Sequence, residues 1–180
     1  MKFSDTKIAG VVLIETERKE DERGYFARTW DAEVAATHGL FPAIAQCSTS
    51  FNAKAGTLRG MHYQDAPHAE AKTVRCTRGA IYDVALDLRL DSPTFKQWVA
   101  YELTAENGRM LYIPEGCAHG FQTLADATEV SYQMNVPYRE GSARAVRFDD
   151  PAFGISWPET FERIISPKDR ALPDWELRNP

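Results

Sequence analysis

The chain predicts an all-β domain of the jelly-roll or related sandwich type, and three observations predict it. Short runs rich in β-branched and aromatic residues recur along most of the length, broken by Gly, Pro, Asn and Asp. Helical periodicity is scarce. The 180 residues, 43% hydrophobic and 11% aromatic, carry enough apolar material for one sizeable core, and no repeat, low-complexity tract or linker divides them. One domain over residues 1–180 is therefore expected, with an N-terminal arm and an irregular C-terminal tail.

The run Val11-Val12-Leu13-Ile14 opens the strands. A short helix is expected at residues 32–38, with Asp31 as N-cap and Gly39 as its stop. Residues 72–89 read as two strands joined through Arg78-Gly79-Ala80. In the second, Tyr82, Val84, Leu86 and Leu88 share one face and Asp83, Asp87 and Arg89 the other, because strand side chains alternate. The polar face is taken as solvent-facing by default and as a pocket lining only by association with nearby motifs. Further strands fit residues 98–103, 109–113, 121–124, 129–134 and 143–148. The tail, with Pro151, Pro158, Pro167 and Pro173, is expected to wrap the barrel, and a helical turn opens at Ser166-Pro167-Lys168-Asp169, where Ser precedes Pro at the first helical position.

A formal charge of -5 argues against nucleic-acid or membrane-surface partners, which call for a basic face. Any bound anion must be held by a local cluster. Cys47, Cys76 and Cys117 are odd in number and widely spaced, without a C-x-x-C pair, so free buried thiols are expected. The N-terminus lacks the apolar core of a signal peptide, and no run approaches the about 18 apolar residues of a membrane span. The cytoplasm is the expected compartment.

Nucleotide-binding glycine loops, the elbow serine and the H-E-x-x-H zinc motif are all missing. A metal site is not expected either: His62 is followed by Tyr63-Gln64 instead of a second histidine, and His68 and Glu70 fall in a loop beside Pro67. Two segments stand out instead. Gly56-Thr57-Leu58-Arg59-Gly60-Met61-His62-Tyr63 and Ile113-Pro114-Glu115-Gly116-Cys117-Ala118-His119-Gly120-Phe121 each place one histidine at an expected turn between strand-like runs. Arg59 sets an anion-matching guanidinium beside the His62 imidazole, which titrates near neutrality. Lys72 shares a strand face with Val74 and Cys76; a lysine aimed into an enclosed space pairs or works, and one on the surface snorkels. Tyr132 on its own reads as a core aromatic with a bonded hydroxyl.

Taken together these residues resemble the dTDP-4-dehydrorhamnose 3,5-epimerases and related sugar-nucleotide epimerases. The similarity runs in order through Asp21-Glu22-Arg23-Gly24-Tyr25-Phe26, Leu58-Arg59-Gly60-Met61-His62, Lys72-Thr73-Val74-Arg75-Cys76, Asp83-Val84-Ala85-Leu86-Asp87-Leu88-Arg89 and Ile113-Pro114-Glu115-Gly116. It continues through His119-Gly120-Phe121, Tyr132, Phe153-Gly154-Ile155-Ser156-Trp157-Pro158 and Lys168-Asp169. The resemblance implies a cupin-type jelly-roll barrel, metal-free and without a cofactor, usually a homodimer, acting on a nucleotide-linked 4-keto-6-deoxyhexose for cell-surface polysaccharide. It implies His62 as general base with Asp169 holding its ring, Tyr132 as acid on the opposite sugar face, and Lys72 beside the enolate oxygen. Arg23, Gln46, Arg59, His119, Tyr138 and Lys168 match substrate-binding positions.

Three departures accompany the match. Gln46-Cys47-Ser48-Thr49-Ser50 lacks an Asn common in Q-x-N-x-S, Arg28 stands where an acid is common, and Ala143-Arg144 replaces Glu-Gly. All fall on substrate-binding positions, which leaves open a nucleotide or sugar other than the dTDP-linked rhamnose precursor. A 3-epimerase, a ketoisomerase and a catalytically silent sugar-nucleotide binder are the competing readings.

Overall fold

The computed structural model describes residues 1–176. In chain order the strands are β1 (Lys2–Asp5), β2 (Val12–Glu15), β3 (Arg18–Asp21), β4 (Gly24–Ala27), β5 (Gln46–Asn52), β6 (Thr57–Gln64) and β7 (Lys72–Arg78). They continue with β8 (Ala80–Asp87), β9 (Trp98–Thr104), β10 (Arg109–Ile113), β11 (Cys117–Thr123), β12 (Thr128–Met134), β13 (Ala143–Ala145) and β14 (Ile164–Ile165). Two short α-helices, α1 (Ala32–Thr37) and α2 (Pro167–Arg170), and a 3-10 turn at Glu140–Ser142 complete the regular elements among the described residues.

One sheet runs β1-β2-β10-β7-β12-β5 and the other β13-β6-β11-β8-β9, with β14 lying parallel to the start of β6. β3 and β4 form a separate hairpin. This is the jelly-roll sandwich that the strand pattern predicts. Between the sheets lies a core to which Val74, Leu111 and Val130 contribute from the first and Ile81, Leu103 and Phe121 from the second. Each such side chain, fully withdrawn from water, stabilises the fold by about 2 kcal/mol.

Strand β8 is buried on both faces, which corrects the solvent reading of its polar side. Asp83 and Asp87 are 0% exposed and point inward with Ile81 and Ala85. The other face, Tyr82, Val84, Leu86 and Leu88, packs under Phe153, Ile155, Trp157 and Trp175 of the tail. A second layer thus covers what a bare sheet would expose.

The local signals match at α1, where the Asp31 side chain accepts from Val34 N and Gly39 follows at φ +71. They also match at α2, where Ser166 Oγ accepts from Asp169 N with Pro167 in the first turn. Two expectations fail. His62 and His119 lie within β6 and β11 and not at turns, because β11 begins at Cys117, four residues before the expected start. Cys47 is exposed, since it alternates outward on edge strand β5, whereas Cys76 and Cys117 are buried and all three are free. No helix among the described residues is long and apolar enough to cross a membrane.

Candidate active site

Strand register aims a polar band into the sandwich. Residues paired directly across antiparallel strands share a face. Arg59 pairs with the core residue Phe121 and His62 with His119, so β6 turns both inward. His119 pairs with core Ala85, and Phe121 with Asp83. From the other sheet Lys72 pairs with core Ile113, Tyr132 with core Val74, and Ser48 and Gln46 follow on β5 opposite Tyr132 and Met134.

A bulge in β6 permits this arrangement. Gly60 sits at φ +135, and a Cβ there would lie 2.5 Å from Gly120 Cα. Only glycine fits so close an approach in that conformation. The register shift it creates lets Arg59 and His62, three residues apart, face the same side.

Two imidazole–carboxylate pairs result. His62 Nε2 is 2.8 Å from Asp169 Oδ1, with the ring half exposed and the carboxylate buried. Pairing of β14 with Thr57 and Leu58 delivers α2, and hence Asp169, to this spot. Burial raises the Asp169 carboxyl, but the bond from His62, its charge and the bonds from Ser166 and the Gly60 backbone outweigh it and hold the group below the usual range. Asp169 is therefore a standing carboxylate that fixes the imidazole tautomer and leaves Nδ1 for a ligand. In the second pair His119 Nε2 is 2.7 Å from Asp83 Oδ1, both deeply buried. Burial pushes the Asp83 carboxyl up, against the charges of His119 and Lys72, and its Oδ2 has no hydrogen-bond partner.

Tyr132 faces these groups from the opposite sheet. Its hydroxyl is 2.9 Å from Ser50 Oγ, and its ring meets the His119 ring edge-on at 6.1 Å between centroids. Burial, opposed by the Ser50 bond, pushes the phenol up to about 12. It holds its proton at neutral pH. The core-aromatic reading and the interior-acid reading are thus both satisfied by one side chain. Lys72 is buried beside Glu70, Nζ to Oε1 2.6 Å.

At the rim, Arg59 Nε donates to Asn52 Oδ1 at 2.8 Å. Lys168 and Arg59 flank His62 and Asp169 in an open groove of about 420 Å³. Gln46 Oε1 accepts from Tyr138 N at 2.9 Å, and the Tyr138 ring is largely exposed. Arg23 is the exception: it stands at the exposed tip of the β3–β4 hairpin, paired with Asp21, and no contact joins it to the other residues. Two departures are engaged locally, Arg28 with Asp31 and Arg144 with Asp65 and the carbonyls of Gly141 and Ala143. Among the described residues no group of three or more His, Cys, Asp and Glu side chains is disposed to hold a metal ion.

Sequence reasoning gave no site role to Glu70, Ser50 and Asn52, the partners of Lys72, Tyr132 and Arg59, and placed Asp83, the partner of His119, only on a face taken as solvent by default. Asp83 did carry a signal, a carboxylate inside the apolar run Val84-Ala85-Leu86 and Ile81-Tyr82. Ser50 meets Tyr132 through the pairing of β5 with β12, Asn52 meets Arg59 across the two sheets, and Glu70 stands two residues before Lys72.

A family model described as dTDP-4-dehydrorhamnose 3,5-epimerase matches residues 5–176. The chain is 42% identical over 173 residues to the dTDP-4-dehydrorhamnose 3,5-epimerase of Sinorhizobium fredii, covering 96% of this chain and 89% of that one. To the Salmonella typhimurium enzyme of the same name it is 40% identical over 169 residues, covering 93% and 92%. Among solved structures it is similar to the dTDP-4-dehydrorhamnose 3,5-epimerase of Bacillus anthracis with TDP and PPi bound, at TM-score 0.92 and 41% identity over 97% and 99% of the two chains. It is also similar to the Legionella pneumophila dTDP-6-deoxy-D-glucose-3,5-epimerase in complex with dTDP-4-keto-L-rhamnose, at TM-score 0.89 and 34% identity over 97% and 98%.

Proposed function

The chain belongs to the dTDP-4-dehydrorhamnose 3,5-epimerase family, and we propose that its polar interior inverts carbon 3 and carbon 5 of a dTDP-linked 4-keto-6-deoxyhexose, with His62 as base and Tyr132 as acid. The observation that carries this reading is the placement of an Asp169-bound imidazole on one sheet and a protonated phenol on the other, both turned inward.

A hydrogen on a carbon beside a ketone is acidic because the electron pair left behind moves onto the carbonyl oxygen. His62 takes that proton, the C–H pair forms the enolate C=C bond, and the C4 carbonyl pair goes to oxygen. A fixed cation near that oxygen lowers the barrier, and Lys72 supplies it. Tyr132 then gives its proton to the same carbon from the opposite face, the carbonyl re-forms, and the configuration is inverted. Solvent reprotonates the phenolate and takes the proton from His62, and the sequence repeats at the second carbon. Arg59, Lys168 and His119 supply positive or hydrogen-bonding groups for the diphosphate and sugar, with Gln46 and Tyr138 at the rim. No cofactor is required.

The chain acts as a homodimer in this reading. Tyr25 and Phe26 are 50% and 65% exposed on the β3–β4 hairpin. Arg23, at the hairpin tip, serves substrate only if it reaches a neighbouring copy. Free buried thiols fit the cytoplasm. Product analysis by proton NMR with dTDP-4-keto-6-deoxyglucose, and competition by dTDP, UDP, CDP and GDP, test the reading. Inversion at both carbons with dTDP as best competitor is expected; inversion at carbon 3 alone, or a preference for another nucleotide, contradicts it.

A further inference from the structure

Lys72 does not stand alone in the interior. Its Nζ lies 2.6 Å from Glu70 Oε1, and both side chains are more than nine-tenths buried. The other carboxylate oxygen accepts from Gln64 Nε2 at 3.4 Å. Gln64 follows His62 by two residues on β6, and its own oxygen accepts from Arg139 N at 2.5 Å. Between Glu70 and Lys72, Ala71 N donates to Asn135 Oδ1 at 2.8 Å, and Asn135 N returns a bond to Ala71 O at 3.1 Å. The segment is clamped on both sides.

An ammonium on a four-carbon stem has many conformers and reaches for water unless something holds it. The other ionisable groups turned toward the same interior are Arg59 and His62 on β6, Asp83 and Asp87 on β8, His119 on β11 and Tyr132 on β12. Ile113 and Met134, its register neighbours on β10 and β12, are apolar. Glu70 alone among the described residues lies within ion-pair distance.

We propose that Glu70 is a positioning residue for the epimerisation, holding one N–H of the Lys72 ammonium so that the remaining two face the substrate carbonyl oxygen. This rests on the reading above, in which Lys72 stabilises the enolate. Glu70 itself touches no reacting atom; through Gln64 it ties the cation to the strand that carries the base and to the segment that carries Tyr138.

Glu70→Leu, Glu70→Gln and Lys72→Ala, measured together for kcat, KM and deuterium uptake beside the ketone, test it. Misplacing a catalytic group by about 1 Å costs on the order of 100-fold. Glu70→Leu is therefore expected to lower kcat about 100-fold with KM within about two-fold, while Glu70→Gln, whose amide oxygen still accepts from the ammonium, keeps kcat within about five-fold. Wild-type kcat in Glu70→Leu, equal losses in both Glu70 variants, or a change in KM alone overturns the proposal. Should Glu70→Leu fail to fold, Gln64→Leu replaces it; about ten-fold lower kcat at unchanged KM is expected, and wild-type kcat overturns the proposal. Lys72→Ala separates the two levels: undiminished exchange there removes the enolate role of Lys72 itself.

Discussion

At the scale of single residues, the proposed mechanism rests on two proton carriers in opposite surroundings. Asp169 remains a carboxylate against the His62 ring, and burial keeps the Tyr132 phenol protonated up to about 12. Asp169→Asn should lower kcat about 100-fold with little change in KM, since a neutral partner no longer fixes the imidazole tautomer; steady-state kinetics check this, and a loss confined to KM would contradict it. Most of these residues were legible in the sequence because they sit in short motifs of unusual composition. Their partners were not. Asp83 becomes the partner of His119 only when β8 and β11 are set side by side, whereas Glu70 stands two residues before Lys72 and was read only as part of a loop beside Pro67.

At the scale of elements, two features of the second sheet hold the geometry. The bulge at Gly60 sets the register that turns His62 toward His119. Gly60→Ala should cost about 2 kcal/mol of stability, because a Cβ would meet the Gly120 backbone at a φ that L-residues rarely adopt. Chemical denaturation would show it, and activity should fall with it. Asp87, at the end of β8, anchors the following turn: burial raises its carboxyl, but bonds from Arg89, Ser92 and Thr94 prevail and hold it down to about 2. Its ordinary value is about 3.9, so the group contributes roughly 2–3 kcal/mol that is present above pH about 4 and is lost as pH falls through about 2. Asp87→Asn should therefore melt well below the wild type at pH 7, with the gap closing toward pH 2; a gap independent of pH would contradict the assignment. Helix caps and most strands were readable because Asp31, Gly39 and the Ser166-Pro167 pair act locally. The start of β11 was missed because Cys117-Ala118-His119-Gly120 carries little strand preference and is held by its neighbours on both sides.

At the scale of the whole molecule, the sandwich matters because in the proposed mechanism its two sheets present a sugar with two different faces, one with imidazoles and one with a phenol and an ammonium. The all-β class was evident from the punctuation of short strands, yet alternation along β8 could not reveal that both of its faces are buried, since the covering tail lies some 70 residues away in the chain. Sedimentation should give about twice the 20.3 kDa chain mass, and a monomer that remains fully active would contradict the homodimer. The central claim is that removal and return of the proton belong to groups on opposite sheets. Incubating dTDP-4-keto-6-deoxyglucose in heavy water with wild type, His62→Ala and Tyr132→Phe tests it most directly. The wild type should take up deuterium at carbons 3 and 5, His62→Ala at neither while keeping its fold, and Tyr132→Phe at one carbon without full inversion. Equal and partial losses in the two variants would contradict separate base and acid roles.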